Sequence, residues 1–300
     1  APPLEWDSLA AELSTFEQAL CVVSDRKSCR ELYAAVKKVA QDDARTYHLS
    51  ALMCAQHRSE VITTIKDKLD RGERVRVIST QLVEAGVDID FPVVYRAMAG
   101  LDSIVQAAGR CNREGKLNAQ GKRGKVVVFN APRKAPAGFL RKAVETAQVL
   151  CERGVGNLTD QRIFEDYFLE LYWKANSLDS KEIMKLLKLE MPDCGIQFRS
   201  AAEAFKLIGD DTRAILVPHG DGEKYISLLE KSEVPEWVLL RKLQRYAVNV
   251  YPNQFADLQR RGSLKEVSLG VYALTTEIEY SKELGLLIDE MPNNPADFMG

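Results

Sequence analysis

VRVISTQLVEAGVDIDFPVVYRAMAGLDSIVQAAGRCNREGK, residues 75–116, decides the fold: it reads as strand, polar turn, strand and helix. Arg74 to Ser79 is apolar and β-branched, the composition of a strand buried in a parallel sheet. It runs out in Ser79-Thr80-Gln81, small hydrogen-bonding residues at a strand's carboxyl end, where open α/β sheets bind ligands. In the next stretch, 84–90, Gly86 permits a tight backbone, and Asp88 and Asp90 flank one apolar residue. A second strand covers Phe91 to Ala97. The final part reads as a helix that Asp102 or Ser103 caps and Gly115 ends. On that helix Gln106, Gly109, Arg110 and Arg113 fall at i, i+3, i+4 and i+7, and so share a face. A structural helix here would put an apolar stripe inward; this stripe holds Gln, Gly and two Arg. Two guanidiniums one turn apart beside a glycine suit a phosphate group. The structural alternative is a solvated face with incidental arginines. Both arginines are expected at the open carboxyl edge of the sheet.

Outward from this stretch the pattern repeats. Ala19 to Val23 is an apolar strand ending in Ser24-Asp25, either of which can cap a helix over Arg26 to Ala40. Thr46 to Ser50 reads as a strand and His57 to Arg71 as a helix stopped by Gly72. Lys125 to Asn130 is a further strand. Strands alternating with helices at this spacing predict a doubly wound parallel sheet, an α/β fold over residues 1–135. The Pro-, Ala- and Gly-rich run 131–138 reads as a linker, and Phe139 to Gly154 as an amphipathic helix. Phe164, Tyr167, Phe168, Leu171 and Tyr172 then recur at helical period, a stripe read as core in preference to a base-stacking surface. Residues 136–190 form the linker and helical segment. From 191 to 300 a small α+β domain is expected, with a helix over Ser200 to Ile208 and a strand over Arg213 to Val217. Trp237 to Val250 should begin as a helix carrying Arg241, Lys242 and Arg245 and turn into a strand near Ala247. Val267 to Leu274 and the tail YSKELGLLID complete it.

Composition narrows the function classes. The 300 residues are 46% hydrophobic and 28% charged, ordinary for a globular chain of about two domains. No run approaches the ~18 apolar residues that cross a bilayer, so no membrane role is expected. The first residues, Ala-Pro-Pro-Leu, lack a methionine, and a fragment of a longer polypeptide is expected. Six scattered cysteines without a C-x-x-C pair read as reduced thiols of a cytoplasmic protein. His48, His57 and His219 form no metal-ligand pair, so no metal site is expected, and a lone His57 reads as structural. A net charge of −2 excludes a globally basic nucleic-acid coat and leaves a local groove.

Two segments carry a resemblance. STQLVEAGVDID resembles motif V, and VQAAGRCNREG motif VI, of the superfamily 2 helicases. More narrowly, TQ-x-x-E-x-GVDIDF followed by QxAGRxNRxGK resembles the helicase part of the CRISPR-associated helicase–nucleases of type I systems. Tyr167-Phe168, Tyr172-Trp173, RKLQRYAVNVYP and YSKELGLL resemble the linker helix and C-terminal domain of the same family. Ala107 departs from the pattern, since relatives often carry an arginine after the glutamine, which puts one auxiliary contact in doubt.

The resemblance implies a second RecA-like lobe that closes on ATP and Mg²⁺ held by a first lobe. The phosphate loop G-x-x-x-x-G-K-[ST] is missing, as are a DE-x-H or DE-x-D signature and a His-Asp pair for the nuclease. This chain alone is therefore expected to be inactive. By the same resemblance Arg110 and Arg113 are finger residues for the γ-phosphate, with Gln106 holding the finger geometry or the attacking water. Gly86, Asp88 and Gly109 belong to the nucleotide cleft, Asp88 accepting a ribose hydroxyl or orienting an arginine. A salt bridge within the lobe is the structural alternative for Asp88. Ser24, Thr80 and Gln81 would touch the sugar-phosphate of single-stranded DNA. The implied activity is ATP-dependent unwinding and degradation of target DNA, with recruitment by an RNA-guided surveillance complex. The alternatives are another superfamily 2 helicase acting on RNA, and a non-catalytic docking module bound by a partner or an inhibitor protein.

Overall fold

Burial on both faces dictates the inner strands of the central sheet. In the computed structural model, which describes residues 3–40, 45–135, 138–154, 160–174, 179, 181–188, 195–205, 212–231 and 236–288, five strands run parallel. They are β1 (Gln18–Val22), β2 (Thr46–Leu49), β3 (Val75–Ser79), β4 (Val93–Ala97) and β5 (Lys125–Phe129), in the order β2-β3-β1-β4-β5. Strand alternation sorts β1 between two cores. Leu20 and Val22 face α3 (Ala55–Asp70) and α4 (Leu101–Ala108), packing with Ile65 and Ala107. Ala19 and Cys21 face α1 (Trp6–Ser14) and α2 (Arg26–Ala40), packing with Leu9, Leu13, Leu32 and Val36. This is the doubly wound RecA-like arrangement expected, and strand and helix ends fall within two residues of those read from sequence for β1 to β5, α2 and α3.

The order of strands gives the 75–116 stretch its role. β3 and β4 lie on opposite sides of β1, so the connection 80–92 must cross over β1. It does so with only a short 3₁₀ turn, Gln81–Val83, and pins itself down by burying Val83, Ile89 and Phe91. Fully burying side chains of this kind contributes about 1.5–3 kcal/mol each. The bend at 84–90 is thus part of the crossover.

Two helices, α5 (Phe139–Glu152) and α6 (Gln161–Lys174), pair and pack Ala143, Ala147, Tyr167 and Leu171 against Leu101 at the start of α4. The aromatic stripe is core on that side, with Phe164 and Phe168 partly buried; Tyr172 is largely exposed and Trp173 more so. Short helices α7 (Ile183–Leu186) and α8 (Phe198–Ala204) follow. α8 starts two residues before the expected Ser200 and has ended at Phe205, short of the expected Ile208, while 206–208 lie outside the described residues, as does Cys194. The other five cysteines are free thiols.

The second sheet is mixed. β6 (Arg213–Leu216), β7 (Ala247–Val250), β8 (Leu264–Ser268) and β9 (Val271–Leu274) lie in the order β7-β6-β9-β8, with β6 and β9 parallel and the other pairs antiparallel. Helices α9 (Gly222–Glu230), α10 (Glu236–Leu243) and α11 (Pro252–Arg260) accompany it, and α10 gives way through a 3₁₀ turn to β7 at Ala247, as expected. A terminal hairpin, β10 (Tyr280–Ser281) and β11 (Gly285–Leu286), reaches back to the loop after β2. There Leu286 donates its N–H to the Leu52 carbonyl at 2.8 Å. Leu52 and Cys54 join the core of the second sheet.

Candidate functional site

The helix that was to carry four site residues stops early. α4 ends at Ala108, so Gln106 lies on it, Gly109 is its C-cap, and Arg110 and Arg113 lie beyond it. They share no helix face, which corrects the expected i, i+3, i+4, i+7 arrangement. Non-local pairing overrides the spacing. Phe91 donates its N–H to the Arg110 carbonyl, and Asn112 donates its own to Phe91, each at 2.9 Å, forming a parallel bridge between Phe91 and Cys111. Asn112 takes a left-handed φ of 50°, which asparagine tolerates. Its side-chain oxygen accepts the Leu117 N–H at 2.9 Å. Gly115 lies in the following turn and does not end a helix. The N-cap also differs. Gly100 occupies it, not Asp102 or Ser103.

The bridge has a second consequence. Phe91 precedes β4, so Arg110 to Arg113 sit toward the amino end of that strand rather than at the carboxyl edge expected for them. From there Arg110 reaches back along the crossover. Its Nε donates to the Val83 carbonyl at 2.9 Å and its Nη2 to the Glu84 carbonyl at 2.7 Å. Burial, and then the charge of Arg113, push the Arg110 guanidinium below its usual range; it stays a cation. Arg113 is held differently. Its Nη1 lies 3.0 Å from Asp88 Oδ1, with side-chain exposures of 44% and 64%. Asp88 also meets Lys66 at 3.5 Å, so the in-lobe salt bridge is the arrangement adopted. Asp90 accepts the N–H groups of Arg113 at 2.7 Å and Glu114 at 3.2 Å, fixing the loop.

Both glycines named from sequence are present for separate reasons. Gly86 has a φ of 72° with no atom within 4 Å of a built Cβ, so its need is conformational. Gly109 has an ordinary helical φ of −64°. A Cβ there would come no closer than 3.4 Å to the Gln106 carbonyl. Nothing among the described residues requires Gly109 to be small, and Gln106 beside it is exposed.

Ser24, Thr80 and Gln81 do come together at the carboxyl edge. Gln81 Nε2 donates to the Ser24 carbonyl at 2.8 Å, joining the loops after β1 and β3. Thr80 is buried and donates its N–H to the Leu49 carbonyl at 3.1 Å. Asp25, not Ser24, caps α2, accepting the Ser28 N–H at 2.8 Å. Ser24 and Gln81 line a cleft whose other wall is Phe139, Leu140 and Phe168. A neighbouring cleft shares Ser24 and adds Arg133, Lys134 and Arg141. A hydroxyl, an amide, basic residues and aromatic faces are what a single strand of nucleic acid meets.

Beneath this edge lies a network that sequence reasoning missed. Arg96, in β4, is 1% exposed and places Nε 2.9 Å from Oε1 of Glu84, which is also buried. Its Nη2 donates to Ser103 Oγ at 3.0 Å, its Nη1 to Ser24 Oγ at 3.2 Å and to the Ala97 carbonyl at 2.9 Å. Ser103 in turn donates to Glu84 Oε2 at 2.6 Å. Burial raises Glu84 above the usual carboxylate range, with Arg96 and Ser103 opposing, and the same burial lowers Arg96. An arginine inside the apolar strand VVYRA was the available signal.

Known proteins resemble this chain in sequence and in fold. Residues 16–116 match the family model described as CRISPR-associated nuclease/helicase Cas3, C-terminal. The CRISPR-associated nuclease/helicase Cas3 of Methanothermobacter thermautotrophicus is 26% identical over 157 residues, 52% of this chain and 18% of that protein. Its counterpart in Haloferax volcanii is 57% identical over 70 residues, 23% of this chain and 7% of that protein. Among solved structures, T. fusca Cas3 with ATP superposes at a TM-score of 0.60 and 16% identity over 91% of this chain and 38% of its own. A chain of a CRISPR RNA-guided surveillance complex, pre-nicking, gives 0.55 at 17% identity over 91% of this chain and 40% of its own. At these identities the structural likeness is one of fold. The chain spans less than a fifth of the length of these curated relatives.

Proposed function

The chain corresponds to the C-terminal helicase portion of the CRISPR-associated nuclease/helicases, and from that premise we propose that it is the second RecA-like lobe, with an accessory domain, of an ATP-dependent single-stranded-DNA translocase. The parent would unwind and degrade target DNA in CRISPR interference, in the cytoplasm, recruited by an RNA-guided surveillance complex. Residues 1–135 would be the lobe, 136–190 the linker and helices, and 191–300 the accessory domain. An inhibitor protein would act by occupying one of these surfaces.

The observation that supports this best is the difference in how the two arginines are held. Arg110 is fixed by two main-chain carbonyls of the crossover, while Arg113 is half-exposed and paired with a still more solvated carboxylate. An exposed pair of that kind is worth about 0–1 kcal/mol, so Arg113 can leave Asp88 for a phosphate at little cost. On closure against a first lobe, Arg113 would meet the terminal phosphoryl of ATP, with Arg110 beside it, and neutralise charge in a water-poor cleft without reorganisation. Gly109 leaves room for that approach, and Gln106 is free to orient the finger or the attacking water. Gly86 shapes the bend that presents Asp88. Among the described residues no cluster of three or more His, Cys, Asp or Glu could hold Mg²⁺; residues of the first lobe would hold it, where it would help to neutralise phosphate charge. Ser24, Thr80 and Gln81 would track the strand at the carboxyl edge, Thr80 through its main chain because its side chain is buried.

The test is Arg113→Ala, and separately Arg110→Ala, in the full-length parent. DNA-stimulated ATP hydrolysis should fall by about 10³–10⁵, the worth of an arginine finger. Near wild-type turnover in both would overturn the assignment. The isolated chain should show no turnover with ATP, magnesium and single-stranded DNA.

A further inference from the structure

We propose that the buried Arg96–Glu84 pair is a positioning element that ties the nucleic-acid edge of the lobe to the arginines that meet the nucleotide, an inference that rests on the function proposed above. Glu84 touches both halves of the site. Its carboxylate pairs with Arg96, while its main-chain carbonyl accepts Arg110 Nη2 at 2.7 Å. Arg96 in turn donates to Ser24 Oγ at 3.2 Å. The run Ser24, Arg96, Glu84, Arg110 is continuous in hydrogen bonds and charge contact, and it spans from the carboxyl edge to the far end of the crossover.

The chemistry of each link favours transmission. Because Ser24 Oγ accepts from a guanidinium, its own O–H is left to donate, which suits a phosphate oxygen. A buried polar network responds as a unit, since in low dielectric each bond polarises the next. Arg96 Nε and Glu84 Oε1 approach to 2.9 Å yet lack the alignment of a hydrogen bond, so the pair has room to tighten. Stability is a weak reason to bury such a pair, because apolar residues of similar volume usually do as well or better. Ser103 braces it from α4, the helix whose end leads into Arg110. A phosphate on Ser24 would therefore pull on Arg96, reset Glu84, and shift the carbonyls that hold Arg110.

The experiment uses the full-length parent, with ATP turnover measured with and without saturating single-stranded DNA. Glu84→Gln keeps the shape and removes the charge. The ratio of stimulated to unstimulated turnover should fall by roughly two- to thirtyfold, the range of residue couplings between sites, with KM for ATP unchanged. Because a lone neutral partner leaves Arg96 buried and uncompensated, the double variant Glu84→Leu/Arg96→Met is the second arm; it removes both charges and should fold. It should lose the same stimulation. Ser103→Ala, which keeps the pair, should lose less. A folded double variant with wild-type stimulation would overturn the coupling role while leaving Arg113→Ala, and so the function itself, to stand. A wild-type parent with no DNA stimulation would sink both.

Discussion

Arg96 and Arg113 each pair with a carboxylate of one seven-residue bend, at 2.9 and 3.0 Å, and the two pairs have opposite physics. Arg96 and Glu84 are 1% and 8% exposed, whereas Arg113 and Asp88 are 44% and 64% exposed. Distance alone does not distinguish a scaffold from an exchangeable contact. Solvation does. A buried partner cannot be abandoned without leaving an uncompensated charge, while a solvated one is replaced by water or by a ligand phosphate at small cost. The crossover thus carries a fixed anchor at one end and a replaceable grip at the other.

The sharpest way to break that comparison is to remove the buried cation. Arg96→Ala leaves Glu84 unpaired and should destabilise the fold by about 3–5 kcal/mol. Arg113→Ala should change stability by no more than about 1 kcal/mol. Urea unfolding monitored by the tryptophans measures both. Equal losses would mean that exposure does not separate the pairs.

A buried group whose own hydrogen bonds go only to neutral partners extends the contrast. His57, read from sequence as structural, is 3% exposed at the junction with the second sheet and stacks 4.3 Å from His219. Its Nδ1 lies 3.0 Å from the Tyr280 hydroxyl and its Nε2 3.0 Å from the Lys282 carbonyl. The carbonyl can only accept, so Nε2 carries the hydrogen and Nδ1 accepts from Tyr280. Burial, then the nearby His219, lower its pKa to about 4. Between that value and about 6.5 the unfolded chain binds a proton that the folded one refuses, so stability rises with pH across the window and is lost as pH falls. The full contribution is about 3 kcal/mol above pH ~6.5. Unfolding free energies of the wild type and His57→Gln, compared from pH 4.5 to 7, should diverge in slope. Parallel slopes would place the acid sensitivity elsewhere, with His48, buried and lowered to about 3, as the next group to test.

Legibility from sequence followed the range of the interaction responsible. β1, α2, α3, β3 and β5 were readable because alternation and amphipathic period are local, and the Ser79-Thr80-Gln81 edge because strand ends gather in a parallel sheet; Ser24 came from the resemblance. The end of α4 was not. The arginine spacing fitted a helix, but Gly109, Asn112 and the bridge to Phe91 ended it, and that bridge depends on where β4 lies. The resemblance still named the arginines, since it rests on residue identity rather than on their conformation. Arg96 and Glu84 were passed over because a charge in an apolar strand says only that some partner exists. Arg76 in β3 gives the same signal with another answer, donating to the carbonyls of Leu13 and Ser14 at the end of α1. The docking of Leu286 on Leu52 joins residues more than two hundred positions apart and has no local mark.

Gly86 sits between the two pairs and tests whether the bend itself matters. Its φ of 72° disfavours a side chain, although the space is open. Gly86→Ala should therefore cost about 1 kcal/mol from backbone strain alone, with the Arg96–Glu84 network intact. In the parent it should also lower ATP turnover by moving Asp88. A loss of turnover without a loss of stability would show a bend that relaxes rather than strains, making the crossover a hinge instead of a fixed shape.

The smallest expected change is at Asp88 and bears most directly on the exposed grip. Asp88→Asn keeps the size and removes the charge that faces Arg113 at 3.0 Å and Lys66 at 3.5 Å. All three side chains are substantially solvated, so screening leaves about 0–1 kcal/mol at stake. Thermal unfolding in low salt should detect that difference, and ~1 M salt, with its Debye length of about 3 Å, should erase it. A deficit of several kcal/mol that survives high salt would put Asp88 in the same class as Glu84, and Arg113 would then be a structural arginine held in place rather than one ready to change partners.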